Sequence, residues 1–337
     1  MMVALGLALG GAGCGGSATS ASSGHGGAVA QRTGTGTGTG ASRRQPAATG
    51  ALQLSYRALF PLPAPLQDPA SAYLGGGHFV LLGGLDAADR SSAGVIVADL
   101  RGVSRAARLP GAQHDAQGAT LTGKAYVFGG GNFSQYDHIL SFDPVMDTVR
   151  AVGVLPSAAS DVAVTEVGGS AYVVGGFDGS NALDTIVSWR PGTAARVVAH
   201  LPVALRYAAV SAVDGDVLII GGSTPSGASD AIYRFDPLTA VVRQIGRLPH
   251  PITHAGAGTL GSHVYLAGGR GNVLDALSAR VWSIDPATGA VRPAGRLPRP
   301  LADAGVLSTG AAIIVAGGHA AAGTQAAVGE LVPVGSG

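Results

Sequence analysis

Six polar side chains recur at one offset in this 337-residue chain. Five residues after the proline of each of six Leu-Pro pairs stand Asp68, Asp115, Asp161, Tyr207, His254 and Asp303. Brought to one place, four carboxylates, a phenol and an imidazole make an acidic rim suited to a cation, a sugar or a basic peptide. The competing reading is architectural, since an aspartate repeated in every unit can accept backbone N–H bonds and tie neighbouring units together. The breaks in the aspartate theme say more than its repetition. Arg206-Tyr207 and His254 fall in consecutive units, with His250 close by. An Arg, a Tyr and a His at one mouth can hold an anionic or sugar ligand through directed hydrogen bonds.

Further polar residues fall in segments that read as loops beside these: Asn132, Tyr136 and His138; Asp178 and Asn181; Arg270 and Asn272; His319. Asp137, Asp184 and Asp230 precede a strand in three units and read as turn caps. The nine histidines show no HxH or HExxH spacing, so no metal is expected. There is no GxSxG elbow, no phosphate loop and no nucleophile–base pair legible from order alone. The sequence names no catalytic residue, and no cofactor is expected.

These positions take their meaning from the repeat that carries them. Apolar runs end in glycine pairs at Gly83-Gly84, Gly129-Gly130, Gly175-Gly176, Gly221-Gly222, Gly268-Gly269 and Gly317-Gly318, spaced 46, 46, 46, 47 and 49 residues apart. Leu-Pro recurs in step at 62, 109, 155, 201, 248 and 297. Each period reads as four short strands. An inner apolar strand, such as 208–213, turns tightly into a second run such as YVFGG or LIIGG, apolar enough to be buried on both faces. A third strand ends in SFDP, YRFDP or WSIDP, where proline has no N–H for the ladder. The fourth (TVRAVGVLP, VVRQIGRLP) alternates like a half-exposed outer strand. Four-stranded units of this kind bury both faces only when packed in a ring. The expectation is all-β: a six-bladed propeller over 51–334, with blade cores at about 63–109, 110–155, 156–201, 202–248, 249–297 and 298–334. The last unit stops after three strands, and residues 51–62 supply an outer strand to complete it.

A Gly-Gly after an aromatic-apolar strand, an acidic-Pro strand end and a proline at the unit boundary resemble the kelch repeat, over all six units. Where kelch repeats usually carry a tryptophan in the fourth strand, this chain has Val149, Val198, Val242 and Val291, which predicts a less aromatic core. Copper radical oxidases related to galactose oxidase use a similar propeller but need a cysteine crosslinked to tyrosine. The only cysteine, Cys14, lies outside the repeats, so that centre cannot form. Bacterial sialic acid mutarotases are also six-bladed kelch proteins, which makes a carbohydrate-processing enzyme the alternative to a binding module.

Residues 1–13, MMVALGLALGGAG, form a short apolar stretch of export-signal length, and Cys14 follows at once. This resembles a bacterial lipoprotein signal, which implies acylation of Cys14 and attachment to the outer side of the cell membrane. The alternative is plain secretion. Residues 14–50, rich in Gly, Ser and Thr, read as a flexible tether. With one cysteine, no disulfide can form within the chain. A formal charge of +1, with a single lysine, leaves no basic footprint for nucleic acid. The expected partner is a protein or glycan on the loop face of a monomer.

Overall fold

The computed structural model describes residues 50–335. The expected signal, Cys14 and the tether up to residue 49 lie outside the described residues. Among those described there is no helix, and hence none long and apolar enough to cross a membrane.

The chain forms six four-stranded antiparallel sheets, each a blade. Their inner strands are Ala70–Gly75, Gln117–Leu121, Ala163–Val167, Ala209–Val213, Thr253–Leu260 and Gly305–Ser308. Each inner strand lies beside the next, and the sixth lies beside the first, so the blades form a ring around a central channel. In the second, third and fourth blades a tight turn with two positive-φ residues joins first and second strands, as at Asp214 (52°) and Gly215 (88°). That conformation matches the twist of the flanking strands. Second strands such as Ser170–Val174 and Asp216–Ile220 are buried at every position. Outer strands such as Val241–Arg247 are mostly exposed or half-buried. At the end of the third strand, Asp143, Asp236 and Asp285 each accept two backbone N–H bonds from the following turn. The acidic-Pro ending thus caps a turn as well as stopping a ladder.

One repeated backbone bond ties the end of each second strand to the segment that leads from the outer strand to the next blade. The N–H of the second glycine in every pair donates to the carbonyl three residues beyond the next unit's Leu-Pro: Gly84 to Gln113, Gly130 to Ala159, Gly176 to Leu205, Gly222 to Ile252, Gly269 to Leu301 and Gly318 to Leu66, all at 2.8–2.9 Å. The first glycine of the pair approaches the same carbonyl so closely that a Cβ at Gly175 would overlap the Leu205 oxygen. Both glycines hold positive φ, where a side chain is strained in any case. Six apolar clusters fill the spaces between blades, one for each adjacent pair. All six Leu-Pro leucines are buried. Val149, Val198, Val242 and Val291 pack at the margins of these clusters, and the two tryptophans, Trp189 and Trp282, sit in third strands instead. One boundary differs from expectation. In the first blade the outer strand Val103–Gln113 runs straight through Leu109-Pro110, which the outer edge tolerates because no partner needs the proline N–H there.

The outer strand of the sixth blade is Leu54–Pro61, paired antiparallel with Ala327–Pro333 in register Leu54↔Pro333 to Pro61↔Ala327. Arg57 of this strand pairs with Glu330, whose side chain is 2% exposed, through both Nε and Nη2. A deletion of residues 51–60 opens the edge of the last blade and strips a buried carboxylate of its partner. It should lower the unfolding midpoint by at least ~10 °C, given roughly 2–4 °C per kcal/mol in a domain of this kind. An unchanged melting curve would contradict closure of the ring through this strand.

Candidate functional site

The connections from outer strand to next inner strand open on the same face as the loops between second and third strands. There the six recurrent residues meet. Asp68, Asp115, Asp161, Tyr207, His254 and Asp303 line a cavity of about 40 Å³ at the channel mouth, with Gln117 beneath them. All six hold left-handed backbone, φ 49–58°. Five steps around the mouth carry a hydrogen bond from the amide of one ring residue to the carbonyl of the preceding one: Asp161 to Asp115, Tyr207 to Asp161, His254 to Tyr207, Asp303 to His254 and Asp68 to Asp303. These ties between blades run through the main chain, where the architectural reading expected backbone N–H bonds to aspartate side chains. Aspartate and histidine fit this position because, with asparagine, they are the side-chain-bearing residues enriched in left-handed backbone. Tyrosine has no such aptitude, so Tyr207 marks a position where strain is accepted for what its side chain does.

That side chain reaches over the mouth. The Tyr207 hydroxyl donates to Asp115 Oδ2, two blades away, at 3.2 Å, and its ring stacks on His254 with centroids 3.8 Å apart. Arg206 forms an ion pair with the buried Asp161 and lies over the rings of Phe177 (4.1 Å) and Tyr207 (5.4 Å). Arg270 Nη2 lies 3.0 Å from His254 Nε2. A guanidinium only donates, so Nε2 accepts, and Nδ1–H goes to Thr253 Oγ1 at 2.9 Å, with Ser223 Oγ 2.8 Å further on. Both imidazole nitrogens are therefore engaged.

The electrostatics follow from burial of like charges. The Asp68 carboxyl is raised well above the usual range by burial and then by Asp115 and Asp303. Burial, with Arg270 opposing, takes Asp303 to about 7. Asp161 is raised to about 6 by burial and Asp115, although Arg206 pulls it down. The Tyr207 phenol is raised by burial and the carboxylates around it. His254 is lowered to about 3 by burial and by Arg270 and Arg206, so it stays neutral at physiological pH. Asp303 Oδ1 is buried with no hydrogen-bond partner among the described residues.

The other polar loop residues are placed apart from the cavity and join loops to adjacent blades. Asn132 accepts from Ser91, whose hydroxyl also meets His114. Tyr136 packs on His138, which bonds Gln113. Asn272 Oδ1 accepts from the Ala228 amide, His319 meets Gln67, and Asp178 caps its own loop beside Asn181. His250 is exposed and absent from the cavity lining. The carbonyls of Asp137, Asp184 and Asp230 receive the amides of the Leu-Pro leucines, while the carboxylates of Asp184 and Asp230 pair with His200 and Arg247. Sequence reasoning missed Phe177, which seats Arg206, and the Thr253–Ser223 relay to His254. Thr253 was within reach, being the neighbour of a flagged histidine; Phe177 carries no such signal.

A family model described as Kelch motif matches residues 204–249, the fourth blade, with Arg206 and Tyr207 inside it. The other five blades repeat its strand order, glycine pair and leucine anchor, so the chain is a six-bladed β-propeller whose fourth blade carries a kelch motif. The solved structure of YjhT is similar, with a TM-score of 0.70 and 18% identity, covering 82% of this chain and 97% of that one. At that identity the likeness speaks for the fold. Compared by sequence, the curated proteins give no match.

A raised carboxyl is protonated in the fold where the unfolded chain has already lost its proton. Its contribution to stability is full below about pH 4 and is lost as pH rises through about 7 for Asp303. His254 acts the other way, with stability lost as pH falls from about 6.5 toward 3. Asp303→Asn removes only the first effect. It should melt ~5 °C above the parent at pH 8 and converge with it only below about pH 4. A pH-independent difference between the two would contradict the raised carboxyl.

Proposed function

We propose that the chain is a binding module which presents its loop face to a macromolecular partner, a protein before a glycan. The observation that carries this reading is a pair of apolar loop tips on that face. Phe133 is fully exposed between the second and third strands of the second blade, and Val273 and Leu274 stand exposed in the corresponding loop of the fifth blade. In a six-bladed ring these loops oppose each other across the mouth. Burying such bulky apolar side chains against a partner removes their area from water, and that gain supports the reading.

The mouth itself supports the same reading by its size. A cavity of about 40 Å³ holds roughly two or three waters, whereas small-molecule sites run to about 300–1,000 Å³. The Arg206–Tyr207–His254 cluster that a carbohydrate-processing enzyme would use is assembled, but each member already has a partner within the protein. A photoreactive residue at 133 or 274 should crosslink the partner, while one at Leu238, exposed on a turn of the opposite face, should not. Equal labelling from 238 would count against the loop face. Ser at 133 and 274 together should cut capture at least tenfold with the melting temperature unchanged, since exposed sites contribute little to stability.

The proposal places the module outside the cytoplasm, held by a lipid on Cys14, supported by the short apolar leader and a lone cysteine directly after it. Cys14→Ser should move the protein from the membrane pellet to the soluble fraction. Membrane retention of that variant would remove the lipid anchor from the account.

A further inference from the structure

The channel is asymmetric. At the loop face the ring of aspartates, Tyr207 and His254 narrows it, but toward the other face it widens into a cavity of about 360 Å³. This well is lined by the second halves of the six inner strands, and its volume falls in the range of small-molecule sites. Its lining holds a carboxylate, Glu166, several hydroxyls and no Lys, Arg or His.

The direction of its hydrogen bonds decides what it can take. Thr120 Oγ1 donates to the Tyr73 carbonyl of the preceding blade at 2.7 Å, and Thr259 Oγ1 donates to that of Ala212 at 2.6 Å. Ser308 Oγ donates in the same way to the Thr259 carbonyl at 2.6 Å. Ser211 Oγ lies 2.8 Å from Thr259 Oγ1, whose proton is already committed, so Ser211 is the donor of that pair. Four hydroxyl protons are thus committed within the protein; Thr259 Oγ1 and Ser308 Oγ also accept from Ser211 and the Gly310 amide and keep one lone pair each, while the oxygens of Thr120 and Ser211 remain as acceptors. The remaining hydroxyl residues of the lining, Ser71, Tyr73 and Thr165, can accept as well as donate, and the Tyr73 hydroxyl already accepts the Gly77 amide. In strand register, Thr120, Glu166 and Ser308 present their carbonyls as Tyr73, Ala212 and Thr259 do, but the facing residues of the next blades are Glu166, Ala212 and Tyr73, none of which carries a hydroxyl on Cβ.

We propose that this well binds a small organic ammonium ion. An ammonium offers only donors, which suits a wall rich in acceptors, and its charge is balanced by Glu166 in a cavity that holds no competing cation. A neutral polyol can use the same acceptors but leaves the Glu166 charge unbalanced, and a carboxylate ligand meets no positive partner. This site is separate from the loop face and independent of what binds there.

The test is calorimetric titration of the full-length chain with 1,4-diaminobutane, its neutral counterpart 1,4-butanediol, and succinate. Saturable binding of the diamine alone is expected. Glu166→Gln, a change at a half-exposed position, should weaken it at least tenfold with the far-UV spectrum and melting temperature unchanged. Asp115→Asn at the opposite mouth should leave the affinity within about twofold. No diamine binding at millimolar concentration, equal binding of the diol, or loss of binding in Asp115→Asn but not in Glu166→Gln would each overturn the proposal.

Discussion

The architecture depends on one short contact, made six times. The second glycine of each unit gives its amide to a carbonyl in the next unit, and the first glycine leaves that carbonyl room to come in. A sheet of four short strands has two apolar faces and no means of covering both. The glycine contact seats the segment that leads into the next blade, and the six apolar clusters fill the gap between the two faces. Side-chain packing makes the ring stable, and the backbone bond fixes where each blade hands on to the next. That division of labour explains why the glycines are repeated strictly while the apolar residues around them vary in type and size.

The fold was legible because its determinants are periodic. Glycine pairs and Leu-Pro pairs mark backbone conformations that few residues can adopt, so they survive in every unit and show in a single sequence. The mouth was legible for the same reason: a left-handed residue at a constant offset shows as a column of aspartates broken by Tyr207 and His254. What could not be read was direction. Nothing in the letters says that Tyr207 crosses two blades to Asp115, or that Arg206 turns to Asp161 and Phe177. Those choices depend on rotamers and distances across units 45 and more residues apart. The lower channel was missed for a different reason. Its residues, Tyr73, Thr120, Glu166, Ala212, Thr259 and Ser308, share an offset of five from the ring, but their hydroxyls are interrupted by a carboxylate and an alanine, and so mixed a column carries no visible mark.

The two ends of the channel make opposite use of polar groups. At the mouth, acids crowd together in a volume too small to hydrate them, and the response is to keep protons and to borrow arginines from the adjoining loops. At the wide end, hydroxyls are spread thinly and point their protons into the walls. The first arrangement uses up its own polarity in closing the ring. The second leaves its polarity facing the lumen.

The direction of the strand Leu54–Pro61 has a mechanical consequence. It runs from the wide end of the channel toward the mouth, with Leu54 beside Pro333 and Pro61 beside Ala327. Whatever precedes Leu54 therefore joins the ring on the side away from the apolar loop tips. When a partner grips those tips and tension comes through the N-terminal side, the pull lies along this strand. The ladder to Ala327–Pro333 is then loaded in shear, with its hydrogen bonds and the Arg57–Glu330 pair sharing the force, and is not peeled open one rung at a time. The strand that completes the sixth blade is thus oriented as a tension-bearing joint.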